Sequence, residues 1–453
     1  MNRTVTILAL LLCAGAAFAQ ETIDEAALFA DTNTVVDSAA TVSSAADLVV
    51  AQDKPSIGFS GDVQTAGTLS GTRRWFTSGT HLVDTRFDGY IVGNLLLDAR
   101  LIQGIKAFAN GELSYAPGAD TVGFHIRELF VDANIKHHAY FRTGKQVLQW
   151  GRCYFFNPTD LVNVEKKSFT QKLSAREGAT GVKLHVPFGT KANVYGFLDV
   201  RKVTRIDSVA GALKFEWLLK GTEMALAVWD RKGRKPVYGF DISTKLLGID
   251  ISGEAALYQR LYSGSLAFDA PIRDIPADGT SVPDTSAQSG PAAKPRVVTV
   301  KSDHPVPRVA IGLSRSFNVL GVPDRVTAVA EFYYNGAGNT NRTIKIPGVD
   351  TISTEIVMLA LASGIYEQNN YSKAYLALFT TVSKFIVSDM TLQLNAMVNL
   401  NQRCAMIAGG LTYQTLSNFS LGLNVTGFVG PEHTEYTELG TAAQVMLTAG
   451  VSF

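Results

Sequence analysis

Cysteine is nearly missing from this chain of 453 residues. Three are present, and Cys13 falls in an N-terminal leader. Cys153 and Cys404 could pair in an oxidising compartment, but geometry decides that and sequence spacing does not. Long apolar runs are missing too. Beyond the leader no stretch reaches the roughly 18 consecutive apolar residues of a membrane-spanning helix. Charge is sparse and balanced, with 18% charged residues and a formal net charge of +1, which argues against nucleic acid as a partner. The seven histidines include one adjacent pair, His137-His138, and neighbours in a turn diverge too far to hold a metal without further ligands. No Gly-x-Ser-x-Gly, His-Glu-x-x-His or phosphate-loop motif occurs. No catalytic residue, metal site or cofactor is therefore assigned, and the chain is not expected to be an enzyme.

The leader itself is readable. Arg3 supplies a positive charge, Val5 to Ala16 form an apolar core, and Ala17-Phe18-Ala19 precedes Gln20 as a cleavage site. Residues 1–19 read as a secretory signal peptide. The apolar run is too short to span a bilayer, and Leu12 stands where a lipoprotein would need a small residue before its cysteine. From Glu21 to Asp53 there are seven acidic residues and no basic one. Residues 20–55 read as a flexible, acidic, Ala/Ser-rich periplasmic tail, or alternatively as a short hatch that docks on the domain beginning at Ser56.

From Ser56 onward, stretches of about ten residues alternate apolar with small or polar side chains, the period of a strand. Met390, Leu392, Leu394, Ala396 and Val398 oppose Thr391, Gln393, Asn395, Met397 and Asn399; Phe419, Leu421, Leu423 and Val425 oppose Ser420, Gly422, Asn424 and Thr426. The pattern predicts strands at 56–65, 87–101, 105–115, 123–135, 139–150, 178–187, 191–200, 208–217, 222–229, 235–243, 248–259, 306–317, 325–335, 371–383, 389–400, 404–414, 418–428 and 442–453. The last ends the chain with Val445, Leu447, Ala449, Val451 and Phe453 on one apolar face, which suits a barrel-closing strand.

Connection lengths separate a barrel from a soluble sandwich. Short links such as 102–104, 136–138, 188–190, 218–221 and 244–247 alternate with positions that hold every long loop: 66–86, 151–177, 262–305, 336–370 and 429–441. Tight turns at one end and long loops at the other are expected of a transmembrane antiparallel up-and-down β-barrel. Both termini then lie at the tight-turn end, so the strand number is even: eighteen by this count, or sixteen if weak segments such as 235–243 are not strands. Loop 262–305 holds Pro271, Pro276, Pro283, Pro291 and Pro295 and should stay out of any ladder as a mobile surface loop. Within 336–370 the run Ile356 to Ala362 is oddly apolar, either a short helix or an inward-folding strand extension.

The sharpest local feature is Gly144-Lys145-Gln146, then Trp150-Gly151 and Asn157-Pro158-Thr159-Asp160, directly after the strand Glu128-Leu129-Phe130-Val131-Asp132-Ala133-Asn134. In this stretch the chain resembles the porin-like outer-membrane β-barrels of diderm bacteria, with Lys145 where they often carry Arg. The resemblance is close only over about 124–162. It implies an outer-membrane location with lipid around the barrel, and insertion by the barrel-assembly machinery, which reads a terminal aromatic strand.

The residues have their own physical reading. Leu129, Val131, Ala133 and Ile135 suit lipid, whereas Glu128, Asp132 and Asn134 suit a wet lumen, since charge facing lipid is costly. If Lys136-His137-His138 is the turn, Asp132 faces Arg142 and Glu128 faces Gln146. Lys145 and Gln149 would then point outward. The pore-lining candidates are Glu128, Asp132, Asn134, Arg142 and Gln146. The next loop is too apolar at Trp150, Tyr154, Phe155 and Phe156 for free solvation and should fold inward. Its constriction candidates are Arg152, Asn157, Asp160, Lys166, Lys167, Lys172 and Arg176. With Glu165 and Glu177 included, five positive charges face three negative ones, a mild preference for anions. The expected function is passive diffusion of small polar or ionic solutes through an aqueous lumen. The alternatives are a carrier of apolar compounds with segment 20–55 as hatch, which needs an apolar lumen, and a surface adhesin using loops 262–305 and 336–370, which needs a blocked one. The sequence carries no signature of oligomeric state.

Overall fold

The computed structural model describes residues 56–453 apart from 73–84, 102–103, 137, 149, 163–175, 202–208, 269–294, 303, 347–348, 350–353, 364, 416–417 and 439–440. The leader 1–19 and the acidic tail 20–55 lie outside the described residues. The strands are β1 (Ser56–Thr72), β2 (Thr85–Arg100), β3 (Lys106–Ala116), β4 (Thr121–Ile135), β5 (Ala139–Gln146), β6 (Ala179–Phe188), β7 (Ala192–Asp199), β8 (Ala210–Leu219), β9 (Thr222–Arg231), β10 (Val237–Leu246), β11 (Ile249–Tyr258), β12 (Tyr262–Phe268), β13 (Pro295–Lys301), β14 (Val306–Val319), β15 (Val322–Asn335), β16 (Ala374–Ser383), β17 (Met390–Asn399), β18 (Cys404–Gln414), β19 (Phe419–Val429) and β20 (Thr441–Ser452). A helix, α1 (Thr354–Ala362), lies between β15 and β16.

Eighteen strands close a single antiparallel ring. Each pairs with its neighbours in sequence, β11 passes directly to β14, and β20 pairs with β1. Closure leaves no edge, so every ladder N–H and C=O finds a partner within the sheet. The seam runs from Asp62↔Ser452 to Gly71↔Ala443. Phe453 extends it, exchanging two 2.9 Å backbone hydrogen bonds with Gly61. Its ring occupies the space a side chain at Gly61 would need.

The alternation read from the sequence becomes an inside and an outside. On β4, Leu129, Val131 and Ile135 are exposed on the outer wall, while Phe130 and Asp132 between them are buried. Leu421, Leu423 and Val425 on β19 and Leu447 and Val451 on β20 continue the exposed apolar belt. Tight turns cluster at one end. Lys220-Gly221, Leu247-Gly248 and Leu320-Gly321 all have positive φ at both residues, the two-residue hairpin geometry whose twist matches the flanking strands.

Beyond shifts of two or three residues at strand ends, three differences from the sequence reading stand out. β1 continues to Thr72 rather than stopping at 65, because outward alternation persists through Leu69 and the Phe87 ring covers Gly67. β5 stops at Gln146 rather than 150, because the chain turns inward there. The stretch 262–305 is not wholly loop: β12 and β13 form their own two-stranded ladder apart from the barrel sheet. Pro295 is tolerated there as the first residue of its strand, where no ladder donor is lost. Pro271, Pro276, Pro283 and Pro291 lie outside the described residues. The apolar run at 356–362 is helical, with Val357 and Ala360 buried in a cluster with Ile344, Ile346 and Tyr366.

Candidate functional site

The site begins on the inner wall of the β4–β5 hairpin. Its register pairs Asp132 with Arg142, and Ile135 with Ala139 around a three-residue turn. Arg142 donates two parallel hydrogen bonds to Asp132, Nε to Oδ1 at 2.6 Å and Nη2 to Oδ2 at 2.8 Å, and its guanidinium lies 3.9 Å from the centre of the Phe130 ring. The planar fork of Arg matches a carboxylate in this way. One strand further round, Arg127 pairs with Glu112 at 2.6 Å. A bulge opposite Asn110 and Gly111 sets Arg127 out of register, which brings Arg127 and Glu128 to the same wall. Asn134 donates to the carbonyl of Gly104.

Glu128 and Gln146, which the hairpin reading sets face to face, each bond to backbone groups. Glu128 accepts the backbone N–H of Val147 at 2.8 Å, and Gln146, fully buried, donates to the carbonyls of Arg142 and Gly181. A carboxylate facing the end of the strand captures the first free donor of the departing chain, and this steers it inward. Lys145 does point outward, where it meets Glu177 at 2.8 Å; Gln149 lies outside the described residues. Gly144 has φ +132, and a Cβ there would stand 2.2 Å from the Leu129 carbonyl.

The chain from 147 then crosses the barrel. Leu148 and Trp150 bury against Phe197, Ala212 and Ala227. Glu254 of β11 accepts the N–H groups of Arg152 and Cys153 on Oε1, and the N–H and hydroxyl of Thr159 on Oε2. Glu331 of β15 accepts three consecutive backbone donors, those of Tyr154, Phe155 and Phe156. Phe156 stacks on Tyr333 at 4.6 Å, and Tyr154 packs on Phe379 of β16 at 4.9 Å. β16 lies half-way round the ring from β5, and only a path through the interior joins them. Two buried carboxylates thus hold a loop whose backbone donors would otherwise be unsatisfied, which is costly away from water.

The other loop candidates fall into this frame. Asn157 donates to the Cys153 carbonyl at 2.6 Å and to Glu254 at 2.9 Å. Asp160 is buried, with Arg176 at 3.8 Å. Arg152 is held by Asp241, Glu223 and Glu216, and Lys214 reaches Asp241 at 3.1 Å and the Trp150 carbonyl at 2.9 Å. Two cations here meet three carboxylates, so Arg152 does not present the free positive charge expected of it. Lys166, Lys167 and Lys172 lie outside the described residues. Cys153 and Cys404 are both free, although both bury in the same cluster around Phe156 and Tyr375. Burial, then the nearby Glu254, pushes the Cys153 thiol up, away from thiolate chemistry.

A second segment, 430–438 after β19, also turns inward. Tyr436 joins the cluster that holds Phe156 and Tyr333. Beside it Glu435 accepts hydrogen bonds from the Tyr375 hydroxyl at 2.9 Å, Asn399 Nδ2 at 2.6 Å and the Asn369 N–H at 2.7 Å. Burial raises its carboxyl to about 7 against the pull of those donors. The same loop ties to the β15–β16 loop through Ile344 N–H and the His433 carbonyl at 2.8 Å.

No protein-family model matches the chain, and no curated protein is similar to it in sequence. Solved structures do share its shape. A BenF-like porin from Pseudomonas fluorescens Pf-5 superposes with a TM-score of 0.51 at 9% identity, over 88% of this chain and 98% of that one. The fold is the porin barrel. OccK9 (OpdG) of Pseudomonas aeruginosa gives a TM-score of 0.52 at 8% identity, with the same coverage of 88% and 98%. OccK2 (OpdF) of the same organism, in complex with glucuronate, gives 0.50 at 10%, again over 88% and 98%.

Sequence reasoning did not single out Glu254, Glu331, Asp241, Lys214 or Glu435. For the first four a signal existed: each is a charged residue at an inward position in mid-strand. Around them Ala210, Ala212, Ala225, Ala256, Ala310 and Ala377 are nearly fully buried. Ala212 packs in the cluster with Leu148 and Trp150, and Ala310 and Ala377 in the one with Phe156, so small side chains leave room for the inserted loop.

Proposed function

We propose that this protein is an outer-membrane channel through which small polar or ionic solutes diffuse passively. The observation that carries this reading is the division of the wall. Apolar side chains stand exposed all round the outside, whereas bidentate ion pairs such as Asp132–Arg142 and Arg127–Glu112 line the inside. Apolar residues facing out suit a hydrocarbon surround, and charge facing in suits an aqueous lumen. An apolar carrier would need the opposite lining.

On this reading Glu128, Asp132, Asn134, Arg142 and Gln146 belong to the pore wall, and the loop from Arg152 to Asp160 is the constriction. The Trp150 to Phe156 aromatics and the two anchoring carboxylates fix its position. Arg308, which packs on the Tyr258 ring at 4.8 Å and interacts electrostatically with Glu367, adds a cation to the wall. The closing strand with Val445, Leu447, Val451 and Phe453 is the element the barrel-assembly machinery would engage. No chemistry is required of any residue.

Planar-bilayer recording of the refolded protein tests the reading. Discrete conductance steps are expected, and reversal potentials in a salt gradient give the selectivity. Liposome swelling with glucuronate and neutral sugars then ranks solutes, glucuronate being included because a neighbour of the same fold is known with it. Absence of conductance in correctly inserted protein would favour a surface interaction role for the long loops.

A further inference from the structure

The outer wall carries one recess that the channel reading does not use. The register places Val398 of β17, Ala405 of β18 and Val429 of β19 in one cross-strand row. They share the outward face, since the neighbouring Met397–Met406 row is buried inside. The middle member is the smallest, so the two valines stand as walls on either side of it. At φ +151, Gly430 lets the end of β19 rest directly on Cys404, where a Cβ would come within 2.3 Å of the cysteine's own. The result is a cavity of about 470 Å³ lined mainly by Val398, Leu400, Ala405 and Val429. It lies at the long-loop end of the barrel, beneath the β17–β18 turn. Arg403 in that turn lines its mouth, is exposed, and forms no ion pair or hydrogen bond among the described residues.

We infer that this recess binds a membrane lipid, with one acyl chain lying in the apolar trough and the headgroup phosphate on Arg403. The inference rests on the membrane placement proposed above. The trough continues the outward apolar belt, so a chain entering it leaves no hydrocarbon–water boundary. A guanidinium at the upper rim has the fork geometry that matches phosphate oxygens. Among the described residues nothing else on this rim neutralises it. The occupant is therefore a phosphorylated lipid rather than free phosphate: the trough supplies apolar area that inorganic phosphate cannot use.

The test is native mass spectrometry of the full-length barrel, extracted from phosphatidylcholine vesicles containing phosphatidic acid, after flotation has confirmed insertion. Retained phosphatidic acid is expected on the wild-type barrel. A juxtamembrane Arg contributes a modest electrostatic attraction, so Arg403→Glu should lower retention about fivefold. Ala405→Phe fills the trough and should lower retention of phosphatidic acid and phosphatidylcholine alike. Both substitutions face outward or lie in an exposed turn, so ion conductance stays as in the wild type. Equal retention by wild type and Arg403→Glu in floated protein overturns the lipid site and leaves the channel reading intact. Equally tight binding of inorganic phosphate alone would also overturn it, because the trough would then contribute nothing. Protein that does not float overturns the membrane placement and the lipid site together.

Discussion

Replacing Glu331 by Gln removes one charge from the barrel interior without changing its shape. The native carboxylate, 1% exposed, accepts the N–H groups of Tyr154, Phe155 and Phe156. Glutamine offers one oxygen, and its NH2 group confronts a donor where the second oxygen was. At least one bond is lost and the others lose their charge assistance. Bonds to a charged group contribute about 1.5–3 kcal/mol, and a buried donor left unsatisfied costs about 1–3 kcal/mol. The docked loop should therefore lose ~3 kcal/mol, or roughly 100-fold in the ratio of docked to released forms. Glu254, Arg152 and the Phe156–Tyr333 stack still hold, so Glu331→Gln should be mostly docked with frequent brief releases. Single-channel records should show added flicker to a larger conductance level. Amide exchange across 152–157 should quicken while the barrel ladder, which uses none of these bonds, stays protected. The double variant with Glu254→Gln should hold the larger level persistently. Unchanged conductance, noise and loop exchange in the double variant would refute the idea that these carboxylates position the loop.

Three further outcomes are expected from the geometry. Asp132→Asn strands the Arg142 guanidinium on a nearly buried wall, where breaking one partner of such a pair typically costs about 3–5 kcal/mol; a clear fall in thermal stability by circular dichroism is expected, larger than for Arg86→Ala at an exposed pair. Gly144→Ala forces a side chain onto the Leu129 carbonyl at φ +132, a strained backbone that costs on the order of 1–3 kcal/mol before the clash is counted; slower refolding and a lowered urea midpoint should be seen. The Glu435 carboxyl, held up to about 7 by burial, has an ordinary value of 4.5 when released. A raised acid binds its proton more tightly in the docked loop, so docking is strongest below about 4.5, weakens as the pH rises to about 7, and is then flat. Exchange protection of 433–438 should track that profile, and Glu435→Gln should flatten it; a variant that keeps the full pH dependence would remove Glu435 as its source.

Much of the barrel was legible because a closed sheet with an apolar outer face and a more polar inner one imposes a period of two on every strand. All eighteen barrel strands coincide with an alternating segment, including 235–243, whose weaker pattern corresponds to β10. The Asp132–Arg142 pair was legible for the same reason: a three-residue turn and a strict period leave one register. The loop path was only half legible. Aromatic residues at 150 and 154–156 reveal that the segment is buried, but not what receives it. Glu254 and Glu331 lie about 100 and 175 residues further along the chain, as their hydrogen bonds record, and no local rule links a carboxylate on one strand to backbone donors that distant. Glu435 was less visible still, an acidic residue in a polar loop whose burial depends on Tyr375 and Asn399 arriving from two other strands.

The inserted loop has a mechanical consequence as well as a steric one. A thin cylinder of hydrogen-bonded strands resists stretching along its ladder but flattens easily, because an oval keeps every ladder bond. A segment rooted at the end of β5 and clamped to β11, β15 and β16 works as a cross-brace. Flattening along its line compresses it against the Phe156–Tyr333 stack, and bulging along the same line pulls on the two carboxylates.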